Sequence, residues 1–103
     1  MIAKTPLPYY YAVIFTSTRT KVEKGYSEMA NKMVELVKTQ SGFLGVESAR
    51  EEIGITVSYW KDLESINRWK ENTEHAVAQQ MGKKLWYKNY KIRVAKVERD
   101  YEF

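Results

Sequence analysis

Residues 42–60 read GFLGVESAREEIGITVSYW, and this stretch decides the fold. Phe43 to Glu51 reads as a strand, Gly54 supplies a hairpin turn, and Ile55 to Trp60 (ITVSYW) reads as the returning strand. Asp62 follows at once and caps a helix that opens DLESINRWKEN, in which Leu63, Ile66 and Trp69 share one face. The middle of the chain is therefore strand, strand, helix.

Upstream, Tyr9 to Thr18 (YYYAVIFTST) is β-branched and aromatic, the composition of a strand. It is apolar on both alternating faces, which predicts cover on both. Residues 19–23 form a charged loop, and a helix is predicted from about Lys24 to Gln40. Tyr26, Met29, Ala30, Met33, Val34 and Val37 supply its apolar face, and Ser41-Gly42 ends it. Downstream, Asn72-Thr73 is expected to interrupt the second helix, with Thr73 capping a continuation from about Glu74 to Leu85. A last strand is expected from about Tyr90 to Arg99. Residues 1–8, with Pro6 and Pro8, read as an arm, and 9–103 as a single domain.

The order β-α-β-β-α-β is the ferredoxin-like α+β pattern, a four-stranded antiparallel sheet with both helices on one face. Its two halves, roughly 9–51 and 55–99, are similar in layout. The bare sheet face would expose large apolar side chains, which predicts a homodimer that buries them; a monomer with a polar open face is the alternative.

Composition narrows the function. A chain of 103 residues holds one small core. Cysteine is absent, which excludes disulfides, zinc knuckles and thiol nucleophiles and fits a cytoplasmic setting. No apolar run approaches 18 residues, so no membrane span is expected. The net charge is +4, and the bases crowd the end: Lys83, Lys84, Lys88, Lys91, Arg93, Lys96 and Arg99. Aromatics among them raise single-stranded nucleic acid as a partner, but no strand carries the paired aromatics of an RNA-binding sheet.

The sequence holds a single histidine, so no multi-histidine metal site can form. On the second helix His75, Gln79, Gly82 and Trp86 make one stripe, and Val77, Ala78, Met81 and Leu85 the opposite, core-like one. A titratable ring, an amide and an indole together suit a cavity wall, where His75 would act as general base. A surface or structurally bonded histidine fits the same pattern. Trp60 and Trp69 read as core, with stacking on a flat aromatic ligand as the alternative. No serine lies in GxSxG or beside His75, and the five glycines are scattered, so neither a hydrolase triad nor a phosphate loop is supported.

Gly42-Phe43-Leu44-Gly45, Ser58-Tyr59-Trp60-Lys61-Asp62, Trp69 with Glu74-His75, and Trp86-Tyr87 with Tyr90 together resemble the antibiotic biosynthesis monooxygenase domain. That domain belongs to the dimeric α/β-barrel superfamily, and the resemblance spans about residues 9–101. It implies a sheet-to-sheet homodimer with a cavity between sheet and helices in each subunit. It also implies oxygenation of a small aromatic molecule, a phenol or hydroquinone, with no metal or flavin cofactor. On that reading His75, Tyr59 and Tyr90 are the catalytic candidates, and Trp60, Trp69, Gln79 and Trp86 contact the substrate. Haem is the alternative ligand. The haem-degrading members carry an asparagine on the first strand, a tryptophan on the second helix and an axial histidine ten residues later. Trp69 matches the tryptophan, but Gln79 stands at the histidine position and the first strand offers Thr16, Ser17 and Thr18. A non-catalytic ligand-binding module on the same fold is the remaining reading.

Overall fold

The computed structural model describes residues 1–80 and 83–103; for 74–80 and 83–84 the description is of backbone alone. The elements are β1 (Tyr10–Arg19), α1 (Tyr26–Lys38), β2 (Phe43–Arg50), β3 (Gly54–Trp60), α2 (Leu63–Gln80), α3 (Lys83–Trp86) and β4 (Tyr87–Val97). They form one antiparallel sheet in the order β2-β3-β1-β4, the ferredoxin-like arrangement. No described helix is long and apolar enough to cross a membrane.

β1 is central and paired on both edges. It aligns Tyr11 with Trp60 and Lys96, Val13 with Ser58 and Val94, Phe15 with Thr56 and Ile92, and Ser17 with Gly54 and Tyr90. Aligned residues share a face, and successive residues alternate. Tyr11, Val13, Phe15 and Ser17 therefore face the helices, and Tyr10, Ala12, Ile14 and Thr16 face the other way. The core confirms the assignment: Val37 of α1, Trp60 of β3 and Ile66 of α2 are buried together, with Tyr11, Val13, Phe43 and Trp69 packed on them.

The helices depart from their predicted faces at three described residues. Val34, expected inside, is 40% exposed, and Leu63 is 49% exposed. Leu85, expected in the core-like stripe, is 47% exposed, while Trp86 of the opposite stripe is buried. The side chains of Val77, Ala78 and Met81 lie outside the described residues. The expected break at Asn72-Thr73 is absent, and α2 runs through it. The Thr73 hydroxyl donates back to the Lys70 carbonyl at 2.8 Å, which satisfies it inside the helix. Asp62 caps α2 as expected, accepting from the Ser65 amide at 2.7 Å. The last strand begins at Tyr87, three residues earlier than its pattern suggested.

The sheet face away from the helices is covered at one end by the chain termini. The Ala3 amide donates to Glu47 at 2.9 Å, and the Thr5 hydroxyl donates to the Tyr10 hydroxyl at 3.0 Å. Tyr10 in turn donates to the Asp100 carboxylate. Beyond this cover, Ile14, Val57 and Ile55 share the face, with Ile55 exposed.

Gly42 joins the two layers. Its φ is +85°, a left-handed conformation, and its carbonyl accepts from the Lys61 amide at 2.8 Å. A Cβ there would lie 2.1 Å from the Ser65 hydroxyl. Gly42→Ala is expected to destabilise the protein by about 1–3 kcal/mol through both strain and collision. Thermal denaturation should record a fall in Tm of several degrees.

Candidate functional site

The helix side of the sheet carries two aromatic clusters at opposite ends. Tyr11, beside the first, and Arg19, beside the second, lie eight steps apart along β1, about 26 Å at about 3.3 Å per residue. The first cluster holds Trp60, with no exposed surface, its ring centroid 5.5 Å from Phe43 and 6.0 Å from Trp69. The Trp60 indole donates to the Ser58 hydroxyl at 2.9 Å. Trp60 is thus wholly a core residue here, and Trp69 is its partly buried neighbour.

The second cluster is built where β1, α1 and β4 meet. Phe15 stacks on Tyr90 at 5.5 Å and meets Tyr87 edge-on at 5.4 Å. Tyr87 lies 5.9 Å from Tyr26, which lies 6.4 Å from Trp86. Arg19 stacks its guanidinium 3.3 Å from the centre of the Tyr26 ring. It also donates to the carbonyls of Trp86 at 3.1 Å and Val22 at 2.9 Å. The buried Trp86 indole donates to the Lys24 carbonyl at 2.9 Å. The Tyr87 hydroxyl donates to that of Tyr26 at 3.4 Å. Burial, reinforced by the Tyr26 hydroxyl, pushes the Tyr87 phenol well above its ordinary range, so it is a neutral donor at physiological pH.

From this cluster a strip of β4 runs back along the helix side of the sheet. Tyr90, Ile92 and Val94 are each about half exposed although they share a face with the core. The connection from β3 through α2 to β4 passes over β1, and α2 carries residues 75 and 79 about three and about four turns beyond its start. The side chains of His75 and Gln79 lie outside the described residues.

The remaining expected site residues divide as follows. Trp86 and Tyr90 belong to the second cluster, Trp60 and Trp69 to the first. Tyr59 is brought to neither. It alternates with Trp60 and faces the other side of the sheet, where its hydroxyl donates to Glu47 at 2.6 Å and its ring meets Tyr10 edge-on at 5.9 Å. Phe15, Arg19, Tyr26 and Tyr87 join the cluster without having been expected in it. Phe15, Arg19 and Tyr87 are brought together by the pairing of β1 with β4, and Tyr26 reaches them from the apolar face of α1. A shallow open cleft of about 210 Å³, lined by Thr16, Ser17, Thr18, Ile53, Asn89, Tyr90 and Lys91, lies at the same end of the sheet. Thr16, Thr18, Asn89 and Lys91 face away from the helices, whereas Ser17 and Tyr90 face them, so the cleft meets the ring cluster at Tyr90. Among the described residues no group of three His, Cys, Asp or Glu could hold a metal ion.

Burial and the Glu47 carboxylate together push the Tyr59 phenol up to about 12, and the same bond holds Glu47 below its ordinary 4.5. Tyr59 is then neutral in the folded state while an unfolded chain ionises it near 10.0, so stability is lost as pH rises from 10 to about 12. Glu47 contributes stability above 4.5 that is lost as pH falls through its lowered value. Tyr59→Phe is expected to make both limbs of the stability–pH curve shallower, measured by urea denaturation across pH.

Comparison with known proteins agrees with this architecture. The monooxygenase af470-like family matches residues 11–96. The chain is 52% identical over 100 residues to the uncharacterised protein YqjZ of Bacillus subtilis (strain 168), covering 95% of this chain and 88% of that one. In fold it is similar to PA3566 from Pseudomonas aeruginosa, with a TM-score of 0.68 and 17% identity over 93% of this chain and 99% of that one. It is also similar to SnoaB, a cofactor-independent oxygenase from Streptomyces nogalater, with a TM-score of 0.70 and 12% identity over 90% and 97% of the two chains. With the ferredoxin-like sheet and a family match over nearly its whole length, the chain belongs to the monooxygenase af470-like family, of the antibiotic biosynthesis monooxygenase type.

Proposed function

We propose that this protein is a cofactor-independent monooxygenase of a small, electron-rich aromatic molecule, a phenol or hydroquinone. The observation that carries the reading is the half-exposed strip of Tyr90, Ile92 and Val94 on the helix side of β4, ending on the rings of Phe15 and Tyr87. An apolar surface with a flat ring at its end and phenolic donors beside it suits a flat, oxygen-bearing ligand. Family membership and the fold shared with an oxygenase described as cofactor-independent support the same chemistry.

The electrons come from the substrate. A phenol that loses its proton becomes an anion rich enough to reduce O₂. The ring carbon para to the oxygen forms a C–O bond to O₂, giving a hydroperoxide. Loss of water from it breaks the O–O bond and leaves a quinone. Phenol plus O₂ thus gives quinone plus water, one oxygen atom entering each product, with no outside reductant. The protein must remove the first proton, hold the anion and exclude bulk water. His75, carried by α2, is the base in this scheme, and Tyr90 donates to the substrate oxyanion.

The same reading takes the protein as a homodimer through the open sheet face, where Ile14, Ile55 and Val57 supply an apolar patch. The wild type should sediment as a dimer and Ile55→Glu as a monomer; a monomeric wild type removes the dimer from the reading.

Oxygen uptake tests the chemistry directly. With 1-naphthol as substrate the protein should raise O₂ consumption above the buffer rate and release 1,4-naphthoquinone and water. With 1,4-naphthohydroquinone, whose para carbon already carries oxygen, the new C–O bond forms at the free ortho carbon and the products are 2-hydroxy-1,4-naphthoquinone and water. His75→Ala should lower the protein-dependent rate by about a hundred-fold or more. No uptake with either compound, or an unchanged rate in His75→Ala, overturns the assignment.

A further inference from the structure

Arg50 ends β2 opposite Gly54 of β3, and Gly54 pairs on its other side with Ser17 of β1. All three share the helix side of the sheet. Arg50 is exposed, yet its guanidinium lies across Gly54: a Cβ on Gly54 would meet its Nη2 at 2.0 Å and its Cζ at 2.1 Å. The glycine leaves the space in which the guanidinium lies. Beyond it, Arg50 donates to the hydroxyl and the carbonyl of the buried Ser17. Ser17 is the β1 partner of Tyr90, so the guanidinium rests one strand from the ring that stacks on Phe15.

A guanidinium has five N–H donors, and Ser17 accepts from only two of its nitrogens. The described ion pairs are Arg19 with Glu23 and Arg68 with Glu64, so among the described residues no carboxylate neutralises Arg50. Its charge is near enough to act on the Tyr87 phenol. A fixed cation with unused donors beside a ring platform is the arrangement that recognises a carboxylate on an aromatic ring.

We infer that Arg50, held over Gly54 by Ser17, is the anion-recognition group of the aromatic site, and that its ligand is an aromatic acid whose ring lies on Phe15 and Tyr90 while its carboxylate meets the guanidinium. This rests on the proposed site, whose substrate class it narrows from aromatic to acidic aromatic.

The test compares two ligands of nearly equal shape, 4-hydroxybenzoate and 4-hydroxybenzamide, by calorimetric titration of the intact protein. The wild type should bind the acid about ten-fold more tightly or better, the scale of a charge-assisted contact. Arg50→Gln should bring the two Kd values together. Gly54→Ala keeps the charge but fills the space beneath it, and should erase the preference as well. Equal affinities in the wild type, binding of neither ligand, or a preference kept in Arg50→Gln or in Gly54→Ala overturns the inference. Binding is read without turnover. A preference for the acid with no O₂ uptake from any phenol would retain the anion site and discard the oxygenase; uptake with no preference would do the reverse.

Discussion

Side-chain alternation along β1 is the constraint on which the rest of this molecule depends. β1 is bonded on both edges, so its register propagates to β3 throughout and to β4 as far as Thr18, beyond which a bulge pairs Arg19 with Tyr87. Every odd residue from Tyr11 to Ser17 is committed to the helices and every even one to the opposite face. The consequence for function is immediate at Tyr59-Trp60. These neighbours in sequence lie on opposite sides of the sheet, so a site that uses one is closed to the other. The same parity assembles Phe15, Tyr90 and Ser17 from distant parts of the chain, with Arg50 and Gly54 beside them.

The ring cluster is held from behind by backbone chemistry. Arg19 ties the carbonyls of Val22 and Trp86 to the face of Tyr26, and the Thr20 amide donates to the same Trp86 carbonyl at 2.9 Å. The start of α1 and the start of β4 are therefore fastened at one point. A ligand surface needs such support, because rings that rotate freely define no shape. The cation over Tyr26 is already engaged with two carbonyls, which suits it to positioning, whereas Arg50 keeps donors unused.

Much of the fold was legible because hydrophobic period reports burial directly. The hairpin at 43–60, the Asp62 cap and the inward face of α1 follow from local residues alone. Local reading failed where a tertiary contact overrode propensity. Thr73 reads as a cap, yet its hydroxyl is satisfied within the helix, and α2 continues. Gly54 reads as a turn residue, yet it is buried at the first position of β3, and its missing side chain makes room for Arg50. The site was less legible than the fold for the same reason. Single-residue signals such as a lone histidine or a tryptophan can be seen in one dimension. The partnership of Ser17, Arg50 and Gly54 exists only once three strands are in register.

The open face follows a different logic from the ring cluster. At its covered end both carboxylates, Glu47 and Asp100, accept hydrogen bonds from phenols, Tyr59 and Tyr10. A carboxylate so bonded loses less on leaving water than a bare one, which lets the terminal segments lie over it. At the β4 edge of the same face stand Lys91 and Arg93, opposite Thr16 and Ile14, with no described ion pair. Burying those cations would require an anion from whatever covers them. Apolar contact is thereby confined to the strip between, where Ile14, Val57 and Ile55 lie. Because that strip faces away from the helices, changes to it and changes to the Arg50 corner act on separate surfaces, and assembly can vary without moving the groups that would bind a ligand.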